Sequence, residues 1–223
     1  MATVVLVHGL GRTARAMWPL ARAARARGHR VVAIRYRSRR GDIASHAATL
    51  ARQLREQAPE GALWFVTHSL GGIVLRFAVA HETLPEGRIA RAVLLAPPNQ
   101  GSEIADFWWD RRWTGRVGRW LLGPSLGELR TSPDATVMRL PPVRFPCGVI
   151  AGTRTLTRLS SRFIDGPNDG KVAVRRAAVA GMRELLELPA THTFILAMPS
   201  VIAQTFHFLE HGRFRRGDEA PAG

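Results

Sequence analysis

An apolar run that stops at a serine and resumes behind two glycines constrains this chain more than any other stretch: Phe65-Val66-Thr67-His68-Ser69-Leu70-Gly71-Gly72. Residues 62–66 are apolar and partly aromatic, as a buried strand is, and Ile73, Val74, Phe77 and Ala78 recur at helical spacing behind the glycines. Ser69 is therefore expected in a strand-to-helix turn. So tight a turn lifts one side chain above the sheet, and glycines behind it let the new helix cross close to the strand. The lifted group is a hydroxyl. The plain alternative is a serine that merely caps a helix, so the rest of the chain has to decide.

Around this turn the chain alternates. Thr3–Val7 is a β-branched run that stops in His8-Gly9-Leu10-Gly11. Residues 12–27 follow as a helix with Met17, Leu20, Ala21 and Ala24 on its inner face, Pro19 near its regular start and Gly28 at its end. Residues 31–36 read as a strand, 37–42 as a polar loop, and Ile43, Ala47, Leu50 and Leu54 mark one face of a second helix. Later strands are expected at 90–96, 148–151 and Glu184–Leu188, and a closing helix carries Val201, Thr205, Phe208 and Leu209. Strands too apolar to have a wet face, alternating with helices, imply an α/β fold: a parallel sheet of about six strands, covered on both sides. A length of 223 residues suits one domain. The domain is expected over 1–212, with 213–223 as an unordered tail.

Thr67-His68-Ser69-Leu70-Gly71 resembles the nucleophile elbow of the α/β-hydrolase superfamily. Thr67 stands where the family has its first glycine, so a slightly more open turn is expected. His8-Gly9-Leu10-Gly11 resembles the loop that supplies half of the family's oxyanion hole. Ala96-Pro97-Pro98-Asn99-Gln100-Gly101-Ser102 resembles a loop of bacterial lipases and related acyl-ester hydrolases. The resemblance implies Ser69 as nucleophile, His192 in the loop after the last strand as base, and the backbone N–H groups of Leu10 and Leu70 as oxyanion donors. For the acid it favours Asp169, because Asn168-Asp169-Gly170-Lys171-Val172 matches the acid loop of bacterial lipases, with Asp165 second. The chain order of serine, aspartate and histidine is the one this fold requires. His8 is expected to order its loop rather than act as base. The activity implied is that of an esterase or lipase working through an acyl-enzyme, with no metal and no cofactor.

Between the fourth and fifth strands, residues 103–145 offer no convincing strand and fall where the superfamily inserts a lid. Trp109, Trp113, Val117, Trp120 and Leu121 recur there at helical spacing, while Arg111, Arg112, Arg116 and Arg119 occupy other positions. Such a segment suits a lid over an acyl pocket, a membrane-surface helix or plain core packing, and Gly115 and Gly118 weaken the helix. A non-catalytic hydrolase-fold protein that binds anionic membrane through this segment is the rival reading.

The net charge is +15, and Lys171 is the only lysine. The arginines are spread through helices rather than clustered, and no basic stretch is interleaved with aromatics, so nucleic acid is not an expected partner; a small ester or lipid is. His207-Phe208-Leu209-Glu210-His211 has the lettering of a zinc-protease motif, but Gly212 ends its helix and little chain remains for a third ligand. Cys147 is alone and expected buried in a strand. With a strand starting almost at Met1 and no apolar run of spanning length, a cytoplasmic protein is expected.

Overall fold

The computed structural model describes residues 1–58, 60–110, 114–155 and 163–216. Strands and helices alternate as β1 (Thr3–Val7), α1 (Trp18–Ala26), β2 (Arg30–Ala33), α2 (Ile43–Gln57), β3 (Leu63–His68), α3 (Leu70–Ala80) and β4 (Ile89–Leu95). Three helices then intervene, α4 (Glu103–Asp110), α5 (Thr114–Leu122) and α6 (Ser125–Glu128). The chain closes with β5 (Cys147–Gly152), α7 (Val174–Ala177), β6 (Glu184–Leu188) and α8 (Pro199–His211).

The six strands form one parallel sheet in the order β2-β1-β3-β4-β5-β6. Side chains alternate across it. Val5, Val7 and Phe65 pack under α2 and α3, whereas Val4, Leu6 and Val66 pack under α1 and α8. Both faces are dry over the central strands, which is why these read as continuous apolar runs instead of alternating ones. Asp42 caps α2 by accepting the Ser45 N–H at 2.8 Å, and α8 stops at Gly212, whose φ of 77° suits glycine.

The first helix begins as a 3-10 turn over Ala14–Met17 and becomes regular at Trp18, beside Pro19 as expected. One boundary differs from expectation. β2 stops at Ala33 because Gln53 on α2 takes the backbone groups of Arg35, accepting its N–H at 3.0 Å and donating to its carbonyl at 2.7 Å. An edge strand whose polar groups are met by a side chain has no reason to continue.

The segment between β4 and β5 is helical, with no strand among its described residues, but its tryptophans do not share one face. Trp108 and Trp109 belong to α4 and pack against the core, while Val117, Trp120 and Leu121 face outward from α5. Arg111, Arg112 and Trp113 lie outside the described residues. α5 folds back on α4 at its glycines: a Cβ on Gly118 would stand 2.1 Å from the Trp108 carbonyl, and one on Gly115 would stand 2.3 Å from that of Trp109. The residues that weaken this helix by propensity are the ones that let two backbones touch. α6 ties the segment down, since Glu128 accepts the Ile43 N–H at 2.7 Å and Ser125 donates to the Gly41 carbonyl at 3.0 Å.

The chain from Arg213 is not an unordered tail over its first residues. Phe214 is buried with its ring 4.9 Å from that of Phe208, and its N–H donates to Glu184 at 2.6 Å. Arg215 exchanges two hydrogen bonds with Gln204, at 2.8 and 3.0 Å. Residues 217–223 lie outside the described residues. No helix among the described residues is long and apolar enough to cross a membrane.

Candidate active site

In the strand order, β1 separates β2 on one side from β3 on the other, so the connections leaving β1 and β3 diverge at their carboxyl ends, where open sheets of this kind bind ligands. The His8-Gly9-Leu10-Gly11 loop and Ser69 both stand there. Ser69 has φ 51° and ψ −123°, a backbone conformation that costs a residue with a side chain on the order of 1–3 kcal/mol and is kept only where the surroundings enforce it. They do. The Ser69 N–H donates to the Leu95 carbonyl at 2.9 Å, and its own carbonyl accepts from Gly72 at 2.9 Å.

Gly71 makes the turn possible, because a Cβ there would sit 2.4 Å from the Val7 carbonyl oxygen. Thr67, in place of the family's first glycine, is fully buried, and its Oγ1 occupies the space that Gly72 leaves free, 3.2 Å from where a Cβ would stand. The bulk added at one end of the turn is matched by bulk missing at the other.

Three distant residues meet at this turn. His192 places Nε2 3.1 Å from Ser69 Oγ and Nδ1 2.7 Å from Asp169 Oδ2. The second carboxylate oxygen of Asp169 accepts the N–H groups of Lys171 and Val172 at 2.9 and 2.8 Å, so this carboxylate is held by its own loop. A further bond, from the His192 N–H to the Asp169 carbonyl at 3.0 Å, joins the loops after β5 and β6. Exposure rises along the row from 3% at Asp169 through 6% at His192 to 9% at Ser69, so the serine is the least enclosed of three buried residues. Asp165, the second choice of acid, is exposed and touches Arg175 only through its backbone carbonyl.

The amides of Leu10 and Leu70 donate to no protein acceptor among the described residues. Leu70 opens α3, where such N–H groups are unpaired by construction. His8 donates Nδ1–H to the Gly9 carbonyl at 3.0 Å, stacks on Tyr36 at 4.2 Å and has its pKa lowered, chiefly by burial. It orders the loop.

His68 plays a part that its position alone did not reveal. Its Nε2 lies 3.0 Å from the His192 carbonyl, which can only accept, so this nitrogen carries the proton. Burial, then the neighbouring His192, pushes its pKa well down and keeps the ring neutral. The loop 96–102 carries struts: Ser102 donates to the Lys171 carbonyl at 2.7 Å, and Asn99 donates to Ala177 at 2.7 Å while accepting from buried Arg76 at 3.1 Å. No cluster of three metal-ligating side chains occurs among the described residues. Glu210 of the His-x-x-Glu-His stretch faces Arg27 at 3.8 Å.

A parallel sheet with a strained serine between strand and helix, a histidine and an aspartate brought to it from later strand ends, defines an α/β hydrolase. The chain belongs to the Alpha/beta hydrolase family, whose model matches residues 4–212. No curated protein matches it in sequence. Among solved structures it is similar to the lipase BlEst2 of Bacillus licheniformis, at 20% identity in both forms. The match to the propeptide form has a TM-score of 0.73 and covers 100% of this chain but 52% of that one. The match to the mature form has a TM-score of 0.70 and covers 96% and 92%. The metagenomic carboxyl esterase MGS0156 is similar at 21% identity and a TM-score of 0.67, over 87% of this chain and 65% of that one.

Proposed function

We propose that this protein is a serine hydrolase of carboxylic esters, an esterase or lipase. The observation that carries the reading is the unbroken row from Ser69 Oγ to His192 at 3.1 Å and from His192 to Asp169 at 2.7 Å. His192 Nε2 takes the Ser69 proton as Oγ bonds to the ester carbonyl carbon, and the amides of Leu10 and Leu70 receive the charge that develops on the carbonyl oxygen. Collapse of that adduct breaks the bond to the alcohol, which leaves with the proton from Nε2. Water, deprotonated by the same nitrogen, then displaces the acyl group and returns Ser69. Asp169 orients the imidazole and offsets its charge while it is protonated. The lipase and esterase named above support an ester substrate by analogy of fold.

Capture of Ser69 by a fluorophosphonate probe tests this, together with turnover of p-nitrophenyl esters from acetate to palmitate. Stoichiometric labelling and turnover, both abolished in Ser69→Ala, are expected. Absence of both in the folded protein would remove the reading.

The outer side of α5 favours a second property. Trp120 is 83% exposed, with Val117 and Leu121 beside it and Arg116 and Arg119 exposed on the same helix. Apolar side chains flanked by cations suit shallow insertion into an anionic lipid surface. Salt-sensitive flotation with phosphatidylglycerol vesicles, weakened in Trp120→Ala, is the expected result. Flotation by a protein whose Ser69 does not label would instead make it a non-catalytic membrane-binding relative.

A further inference from the structure

Three cations stand in the loops around Ser69 with no ion pair of their own. Arg12 closes the turn that begins at Gly9, its N–H donating to the Gly9 carbonyl at 3.2 Å, and a Cβ on Gly9 would stand 3.0 Å from that of Ser69. Arg39 leans over the same turn, its Nε 3.6 Å from where a Cβ on Gly11 would be. Lys171 stands in the loop of Asp169, one residue beyond Gly170, its N–H on the carboxylate that holds His192. Among the described residues the side chains of Arg12, Arg39 and Lys171 make no ion pair and no hydrogen bond. A chain of net charge +15 has other unpaired arginines; these are distinguished by where they stand.

The charges act on one another. Lys171 keeps solvent contact, yet the protein around it lowers its pKa and the Arg12 charge lowers it further, with Asp169 opposing. Both cations also act on His68, directly before the nucleophile. Asp169 offsets part of the Lys171 charge but forms no ion pair with it, its oxygens being engaged by His192 and by two amides. Gathering like charges at a crevice is unfavourable to the free protein and favourable to an anion that enters it. Guanidinium forks and an ammonium suit carboxylate and phosphate oxygens in particular.

We propose that Arg12, Arg39 and Lys171 bind an anionic group of the substrate, so that the ester cleaved at Ser69 carries a carboxylate or a phosphate near the bond that breaks. This specificity rests on Ser69 being the nucleophile.

Two matched pairs of esters test it in a pH-stat: diethyl against monoethyl adipate, and 1-butyrylglycerol against its 3-phosphate. For at least one pair the anionic member is expected to have a kcat/KM about tenfold the higher, and the two pairs tell carboxylate from phosphate. Its KM should rise several-fold between about 50 and about 500 mM NaCl, as screening of an exposed charge pair requires. The anionic-to-neutral ratio should fall about tenfold in Lys171→Gln and in Arg12→Gln and recover in Lys171→Arg. A protein that labels with fluorophosphonate and turns over both neutral esters at least as fast as the anionic ones would overturn the anion site and leave the hydrolase standing. A protein that neither labels nor cleaves any of the four overturns both.

Discussion

His68 donates its Nε2 proton to the backbone carbonyl of His192 at 3.0 Å, across 124 positions of sequence. The residue before Ser69 thus holds the loop that carries His192, and the two rings stand 4.9 Å apart. His68→Ala removes a buried ring and leaves that carbonyl unpaired, at an expected cost of about 2–3 kcal/mol. It should also lower kcat about tenfold or more through misplacement of the imidazole. Denaturant titration and steady-state kinetics separate the two effects, since intact kcat in a destabilised protein would deny His68 any positioning role.

Replacement of the two candidate acids should have unequal results. Asp169→Asn presents an amide N–H to His192 Nδ1 and favours the wrong tautomer, so kcat is expected to fall roughly ten-thousand-fold. Asp165→Asn, at an exposed position, should change it by less than about twofold. Both are read from turnover of one p-nitrophenyl ester.

Gly152 ends β5 where two loops converge, and a Cβ there would lie 2.4 Å from the Ala190 carbonyl and 2.8 Å from Asp169 Cβ. Gly152→Ala is expected to cost about 2–3 kcal/mol and to lower activity by separating the Asp169 loop from the His192 loop. At Gly87 a Cβ would meet nothing within 4 Å, so Gly87→Ala should stay within about 0.5 kcal/mol of the parent protein. Thermal midpoints and kcat/KM of the pair make the comparison.

Stability should fall in mild acid. Burial lowers the pKa of His8, His46 and His68 in the folded protein. Below the ordinary histidine value of about 6.5 the unfolded chain therefore binds more protons than the folded one, and stability rises with pH through that window. Each such group contributes a slope of up to about 1.4 kcal/mol per pH unit, lost as pH falls from about 6.5 toward its folded value. Urea midpoints measured from pH 7.5 to pH 5 should drop, and less steeply in His68→Gln. A flat profile would mean that these rings accept protons without unfolding.

Much of this arrangement was legible because it is written in local chemistry. Apolar runs that end in glycine mark β1 and its loop, and the abrupt passage from Phe65 through Ser69 to Gly72 marks the elbow. Asp169 was separable from Asp165 only by its turn sequence, and the structure gives the physical difference: one carboxylate is enclosed by backbone amides, the other is in water. What escaped depends on contacts between distant residues. Helical spacing from Trp109 to Leu121 suggested one helix, since a period cannot tell a straight helix from two that fold back. Only Gly115 and Gly118 hinted at the fold, and propensity reads them as weakness. The tie from His68 to His192 has no local signature at all. Phe214 is a single apolar residue in a basic stretch, too little signal to reveal that it is buried.

β6 is the last strand of the sheet, and the chain beyond α8 returns to it: Phe214 and Arg215 line a hollow with Leu185 and Leu186, and Phe214 is fastened to Glu184. The short stretch after Gly212 acts as a hem beside the last strand and over the Phe208 ring, apolar surface that would otherwise face a neighbouring molecule. A version of the protein trimmed where the family match ends, at residue 212, would lose that hem, and light scattering would register the self-association that follows.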